Sequence, residues 1–146
     1  MVHVNVTRHP TDAWVAQQLR EATPFGEQPV YLIRDNDRKF GEHFANAAAE
    51  IEVLRTPLRA PRANAYCERF IGSLRRECLD HTLVLSEKQL RRLVNEYVHY
   101  FNDDRPHQGI HQRIPAKLEA SRPGEGEIVA RPVLGGLHHA YHRQAA

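Results

Sequence analysis

The chain has 146 residues, a formal net charge of +2 and a hydrophobic content of 41%, a composition typical of a globular domain with one sizeable core. Its apolar runs are far shorter than the roughly 20 residues of a membrane span, and its first residues lack the regions of a signal peptide. Cys67 and Cys78 are predicted on one helix, about 16 Å apart along its axis, which excludes a disulfide between them. These features indicate a reduced, cytoplasmic protein.

Strands and helices are predicted to alternate in the N-terminal half. Valines alternate with polar residues over 2–7, a pattern that predicts a half-buried strand. A helix is predicted to begin with Thr11 or Asp12 as its N-cap and to end near Ala22. The next segments are predicted as a strand buried on both faces, an alanine-rich helix and a short strand, over residues 30–33, 42–50 and 51–54.

The C-terminal half is predicted to be helical at first and irregular towards its end. A helix over residues 63–81 is predicted to bury one face, made of Cys67, Ile71, Leu74 and Cys78. Ser86 and Gln89 form a capping box for a helix that ends near residues 102–104. Residues 116–146 are predicted as a tail, with Val133–Leu137 as the candidate for a small hairpin. The order of elements indicates an α/β fold, with a core domain over residues 1–115.

Two carboxylates stand out by their positions. Asp35 follows the apolar strand, and Glu68 lies on a basic helix. Two-metal phosphoryl transfer requires several hard oxygen ligands from separate elements, so both residues are candidate metal ligands. The alternatives are that Asp35 forms a turn, with Asp37 as a rival ligand, and that Glu68 forms a solvated ion pair.

A basic segment surrounds Glu68. Residues 55–76 contain six arginines and Glu68 as their one acid, a balance that predicts contact with a polyanion. Interleaved prolines favour an extended loop that presents guanidinium groups to phosphates, although a solubilising surface also explains these charges. The candidate DNA-binding residues are Arg55, Arg59, Arg62, Arg69, Arg75 and Arg76.

Histidines are numerous, at ten in the chain, but their spacing does not define a metal site. His107 follows Arg105 and Pro106, and we interpret it as a packing or capping residue at a helix end. The spacing of His138, His139 and His142 provides no closed ligand set.

Four motifs, taken in order, resemble the integrase core of insertion-sequence transposases. Arg34–Phe40 resembles the second-aspartate motif of that family, and Ala63–Phe70 resembles its third-carboxylate helix. Tyr100–His107 is similar to the family's Tyr-Asn-x-x-Arg-Pro-His, and Leu134–Tyr141 resembles a tail found in a subgroup.

The resemblance implies a ribonuclease-H-like fold that carries an Asp-Asp-Glu triad with two Mg²⁺ or Mn²⁺ ions. It also implies a bacterial, cytoplasmic protein that cuts and joins DNA in transposition, a form of DNA recombination. Asp35 matches the second carboxylate, Glu68 the third, and Arg75 the basic residue expected to contact DNA near the cut. The first aspartate belongs on a strand upstream of Val2, so the resemblance is to a core that lacks its first strands, with an incomplete two-ion site.

Two functions therefore remain open from the sequence. The chain is either the C-terminal part of an active integrase core, inactive alone, or a catalytically inactive remnant that acts as a DNA-binding or assembly module. Strands over residues 2–7 and 30–33 lack the neighbours that the family's sheet provides. Their unpaired backbone groups predict self-association or complementation by the N-terminal portion.

Overall fold

The computed structural model describes residues 3–24, 28–57, 64–118 and 125–144. The helices are α1 (Asp12–Ala22), α2 (Glu42–Ala47), α3 (Ala65–Glu77) and α4 (Glu87–Asp103). The strands are β1 (Tyr31–Arg34), β2 (Glu52–Arg55), β3 (Ile128–Val133) and β4 (His138–Arg143). The chain divides into two compact units, an N-terminal unit (Val2–Ser73) and a C-terminal unit (Leu74–Ala146). The expected mixture of helices and strands is therefore confirmed.

A parallel pair of strands forms the sheet of the N-terminal unit. Tyr31 of β1 pairs with Glu52 of β2, and the register continues to the pair of Arg34 and Arg55. Leu32 and Val53 pack from this sheet against a buried cluster that comes from the two helices and the start of β2. That cluster consists of Leu19, Phe44, Ala48 and Ile51.

The prediction that the first of these strands is buried on both faces is wrong. Tyr31 and Ile33 are 57% and 52% exposed, whereas Leu32 and Arg34, which alternate with them, are half-buried. The reason is that the helices described in this unit cover one face of the sheet. Helices thus cover only one face of this apolar strand, and its other face is exposed to solvent.

The strand predicted over residues 2–7 is also absent from the described part, residues 3–7. Side chains from this segment bond to α1 instead, where the Gln18 Oε1 atom accepts hydrogen bonds from His3 at 2.9 Å and Asn5 at 2.8 Å. The alternation of valines thus marks an extended segment attached to a helix, not a strand of the sheet.

Helix α1 begins as the sequence predicts, with Thr11 as the N-cap. The Thr11 hydroxyl accepts a hydrogen bond from the Trp14 backbone N–H at 3.2 Å. Asp12, the other candidate for this role, instead caps α2. Its carboxylate accepts hydrogen bonds from the backbone N–H groups of Gly41 at 2.9 Å, His43 at 2.8 Å and Phe44 at 2.9 Å.

Gly41 is the residue that lets this carboxylate come so close. A Cβ atom at Gly41 would lie 2.7 Å from the Asp12 Oδ2 atom, nearer than side chains tolerate. Burial raises the pKa of Asp12, but the hydrogen bonds from Phe44, His43 and Gly41 outweigh that effect and hold the pKa below its usual value. Asp12 is therefore a structural cap between two helices.

In the C-terminal unit, α4 begins with Ser86 as its N-cap, as predicted, but the Gln89 side chain bonds the N–H before the N-cap and not the N-cap N–H of a capping box. The Ser86 hydroxyl accepts a hydrogen bond from the Gln89 N–H at 3.1 Å, and the Gln89 Oε1 atom accepts one from the Leu85 N–H at 2.8 Å. The buried face predicted for α3 is half wrong. Cys78 and Leu74 are buried, but Ile71 is 54% exposed and Cys67 is exposed. Phe70 and Ser73 are buried instead, so the buried side of α3 includes Phe70 and not Ile71.

A β-hairpin follows in the tail, which is more regular than predicted. β3 and β4 are antiparallel, and Val133 pairs with His138 across the turn. Gly135 and Gly136 have φ angles of 68° and 95°, which glycine adopts without strain. The hairpin lies in the same compact unit as α4, and the division into residues 1–115 and 116–146 stays a prediction.

Both cysteines are free, Cys67 exposed and Cys78 buried, as predicted. Among the described residues, no helix is both long enough and apolar enough to cross a membrane.

Candidate carboxylate site and nucleic-acid interface

Asp35 lies directly after β1, at the carboxyl end of the strand, and its side chain is exposed. Its Oδ1 atom accepts a hydrogen bond from the Asp37 backbone N–H at 3.1 Å, so the residue shapes the turn as its type favours. The other carboxylate oxygen accepts no hydrogen bond from the described residues. Turn formation thus leaves Asp35 with an oxygen that is available to a ligand.

Asp37 is engaged more completely. One of its oxygens accepts a hydrogen bond from the Lys39 backbone N–H at 3.0 Å, and the other one from the Lys39 ammonium group at 3.0 Å. These bonds hold the pKa of Asp37 below its usual value. Of the two aspartates, Asp35 therefore has the less occupied carboxylate, and its role as a ligand stays a prediction.

A cavity of about 350 Å³ lies beside Asp35 in the N-terminal unit. Residues of α1, β1 and α2 line most of it, and the rest of the lining includes Asn64, just before α3, and Cys67 in its first turn. Glu68 follows Cys67 directly and lies one turn after Asn64. The structure therefore brings Asp35 to the same cavity as the first turn of the Glu68 helix, although Glu68 does not itself line it.

Glu68 is exposed on α3 and forms no hydrogen bond or ion pair with the described residues. At 3.6 residues per turn, Arg75 projects within about 20° of Glu68 and lies about 10.5 Å further along the axis. The buried residues Phe70 and Leu74 lie on the other side of the helix. A carboxylate and a guanidinium group are thus presented in one line on the open face of α3.

The structure describes some of the predicted DNA-binding arginines and not others. Arg55 is exposed at the end of β2, and Arg69 and Arg76 are exposed on α3. Arg75 is 69% exposed, with its Nε atom 4.0 Å from Asp80, too loose a pair to neutralise it. Arg59 and Arg62 lie outside the described residues. Most of the described positive charge in this set is therefore available to solvent.

The described residues do not by themselves fit the two ions that the resemblance implies. They contain no group of three histidine, cysteine, aspartate or glutamate side chains that is able to hold a metal ion. Asp35 and Glu68 contribute two carboxylates at most, and a pair of divalent ions needs more oxygen ligands than these.

A polar cluster around Glu77 was not anticipated from the sequence. Arg105 donates from Nε to the Oε2 atom of Glu77 at 2.8 Å and from NH2 to Oε1 at 2.6 Å. Tyr97 is fully buried and donates its hydroxyl to Oε2 at 2.9 Å. The available signal was that Glu77 lies three residues after the apolar Leu74, on the buried side of its helix, where a carboxylate needs partners.

The charges in this cluster shift its titration. Burial raises the pKa of Glu77, but the hydrogen bonds from Arg105 and Tyr97 outweigh burial and hold the pKa below its usual value. Burial and the hydrogen bond to Glu77 raise the pKa of Tyr97. At neutral pH the cluster is therefore an anion paired with a cation and a neutral phenol.

His107 closes the end of α4, as predicted. Its Nε2 atom donates to the Phe101 carbonyl at 2.7 Å, and its ring meets the Phe101 ring edge-on with centroids 4.3 Å apart. An imidazole used to bond a C-terminal carbonyl of a helix is a capping group.

Comparison with known proteins finds a family match for the middle of the chain. Residues 49–115 match the family model described as an integrase core domain. Over these residues the chain is similar to the integrase core family. An uncharacterized 39.2 kDa protein of insertion element IS476 from Xanthomonas euvesicatoria is 29% identical over 140 residues. That stretch is 94% of this chain and 40% of the relative, so the chain spans less than half of the relative's length.

The resemblance to the integrase core of insertion-sequence transposases is thereby confirmed. The matched range contains Glu68, its neighbouring arginines and the Tyr100–His107 motif. Asp35 and the tail motif Leu134–Tyr141 lie outside that range. No solved structure matches the chain.

Proposed function

We propose that this chain acts in DNA integration or transposition, as a part of an integrase core that cuts and joins DNA phosphodiester bonds. The observation that carries the proposal is the position of Asp35 at the same cavity as the first turn of the Glu68 helix. The similarity of the segment with Glu68 to the integrase core family supports it. The parallel pair β1–β2, flanked by helices, is consistent with the ribonuclease-H-like fold that we include in the proposal.

Asp35 and Glu68 are in this proposal two ligands of a site for Mg²⁺ or Mn²⁺. The remaining oxygen ligands must come from outside the described residues, in another part of the protein or another chain. We expect these ligands to come from outside the 146-residue chain, and we therefore expect the chain alone to be inactive in strand joining.

DNA is the proposed substrate, bound by the basic segment around Glu68. Arg75 lies in line with Glu68 and is the candidate for the phosphate nearest the cut. Arg55, Arg69 and Arg76 are exposed, and we assign them to contacts with DNA, together with Arg59 and Arg62 from the sequence. Guanidinium groups suit this role because they bond phosphate oxygens in a fixed fork.

Manganese binding tests the two ligands. We expect weak binding of Mn²⁺ by the purified chain, measured by electron paramagnetic resonance, and its loss in Asp35→Asn and in Glu68→Gln. The matched control is Asp37→Asn, which removes a carboxylate from the same turn and should retain binding. Binding that survives both ligand substitutions would overturn the assignment.

A DNA-joining assay in Mg²⁺ tests the requirement for further ligands. The chain alone should not join DNA ends. Robust joining that Glu68→Gln abolishes would show that these residues suffice, against our proposal.

The second candidate function is a catalytically inactive DNA-binding or assembly module. It is favoured by the finding that the described residues contain no group of three potential ligands able to hold a metal ion. It predicts DNA binding that neither Mn²⁺ nor the Asp35→Asn substitution changes.

A further inference from the structure

The β3–β4 hairpin has two different faces. Directly opposed residues share a face, so Val133, His138 and Ala140 lie on one side. Val133 and Ala140 on that side are 3% and 2% exposed. All residues of the other side are exposed: Ile128, Ala130, Pro132, His139, Tyr141 and Arg143. We call this second side the outer face.

Three polar contacts anchor the hairpin within the C-terminal unit. The Leu134 N–H donates to the Glu96 carboxylate at 2.6 Å. His138 donates from Nε2 to the Glu77 carbonyl at 2.6 Å, and its ring stacks on Tyr100 with centroids 4.9 Å apart and planes 10° apart. The inner face is thus attached to helical residues, so the outer face is presented on a supported ribbon.

The third polar contact holds the middle of β3. Arg131 donates from NH2 to the Asp104 carboxylate at 2.9 Å. Because this ion pair lies on the inner side of the ribbon, it leaves Arg143 as the arginine of the outer face. The Arg143 guanidinium donates one hydrogen bond, to the Gly126 carbonyl at 2.9 Å, which orients the group without neutralising its charge.

The outer face combines aromatic rings with positive charge. Tyr141 is 67% exposed, and its ring centroid lies 6.4 Å from that of His139. The outer face contains one arginine, one histidine and no acidic residue. A protein partner with an apolar patch would not explain the complete absence of acids, whereas a polyanion that carries flat apolar groups would explain both features.

We propose that the outer face of the hairpin binds single-stranded DNA. Tyr141 stacks on a base, His139 extends that platform, and Arg143 contacts a phosphate. Stacking on an exposed side chain requires an unpaired base, which favours a single strand over a duplex. This inference rests on the proposed function for DNA as the partner, and it adds contact residues to the arginines already proposed.

Fluorescence anisotropy of a labelled single-stranded oligonucleotide tests the proposal on the complete chain. Tyr141→Ala should weaken binding roughly 5- to 150-fold, the range for loss of one stacked base, and Tyr141→Phe should retain it because the ring remains. Arg143→Gln should reduce the slope of log K against log salt by about one. The matched control, Arg92→Gln, removes an exposed charge from α4 and should change binding little.

The outcomes separate this inference from the function on which it rests. If Tyr141→Ala and Arg143→Gln bind as the unchanged chain does, while Arg75→Gln/Arg76→Gln loses binding, the hairpin proposal is wrong and DNA remains the partner. If the unchanged chain binds no DNA, both fail. If Tyr141→Ala alters the oligomeric state in sedimentation and leaves DNA affinity intact, the face is a protein interface and the inference is overturned. Far-UV circular dichroism verifies that each variant is folded, as the exposure of Tyr141 leads us to expect.

Discussion

Arg105 and Glu77 form a two-point ion pair, with Nε 2.8 Å from Oε2 and NH2 2.6 Å from Oε1. Glu77 is the last residue of α3, and Arg105 follows the end of α4 by two residues, so the pair joins the ends of the two longest described helices. The arginine of the Tyr100–His107 motif is therefore bound to a carboxylate within the protein, and its charge is already compensated.

Replacement of Arg105 should destabilise the fold. Both side chains of the pair are about a quarter exposed, so we expect Arg105→Ala to lower the free energy of unfolding by about 2–3 kcal/mol, slightly below the range for fully buried pairs. Arg105→Lys should recover only part of the lost stability, since its ammonium group keeps the charge but cannot make the two-point contact. Urea unfolding of the purified chain measures the loss. The control is Arg92→Ala, an exposed arginine of α4, which should stay within about 0.5 kcal/mol of the unchanged chain. Equal stabilities for Arg105→Ala and Arg92→Ala would contradict the structural role of the pair.

Stability should fall in acid, partly through Glu77. The hydrogen bonds from Arg105 and Tyr97 exceed the effect of burial and hold the pKa of Glu77 below its ordinary value of 4.5. A carboxyl group with a lowered pKa in the folded state contributes its full stabilisation above its unfolded pKa and loses it as pH falls through the folded pKa. This contribution is thus present at neutral pH and declines below about pH 4.5.

Urea midpoints measured from pH 7 to pH 3 should show this decline. Glu77→Gln should be less stable at pH 7 and should lose less stability in acid, because its side chain does not titrate. Asp12→Asn should behave in the same direction, since the pKa of Asp12 is also lowered. A Glu77→Gln variant with the same acid dependence as the unchanged chain would be evidence against this origin.

DNA binding through the basic segment should depend strongly on salt. If about four of its six arginines contact phosphates, log K should fall with log salt with a slope of about −3 to −4. The triple variant Arg59→Ala/Arg62→Ala/Arg75→Ala should bind duplex DNA more weakly and with a shallower slope. The matched control replaces Arg20, Arg91 and Arg92, which changes the net charge equally at other positions. Equal losses in the two triple variants would mean that charge alone, and no particular surface, binds the DNA.

The exposed side of β1 should promote association. Among the described residues β1 pairs with β2 alone, and Tyr31 and Ile33 expose an apolar surface beside an unpaired strand edge. Such surfaces recruit another chain, so sedimentation should reveal oligomers or aggregates that Tyr31→Lys reduces. Leu83→Lys, at a side chain 76% exposed in the other unit, is the control. A monodisperse monomer with a sharp thermal transition above about 65 °C would show that this edge needs no partner.

Local interactions allowed the sequence to predict the helix starts. Thr11 bonds to Trp14 and Ser86 to Gln89, each three residues away, so the residues that define each cap are adjacent in the sequence. The hairpin turn is similarly local, because three consecutive residues, Leu134 and the two glycines after it, adopt positive φ angles there. Family motifs identified Asp35 and Glu68 as candidates for the same reason, since each motif is a short run of residues.

Only the tertiary structure decided which distant residues meet. Asp12 caps α2 through Phe44, 32 residues away, and Glu77 pairs with Arg105 across 28 residues. The burial of Phe70 in place of Ile71, and the open face of β1, depend on which elements pack against them. Periodicity shows that a helix or strand has an apolar side but does not show whether a partner covers it. The position of Asp35 at the same cavity as Asn64 and Cys67 is of this second kind, because it depends on packing between residues that are distant in the sequence.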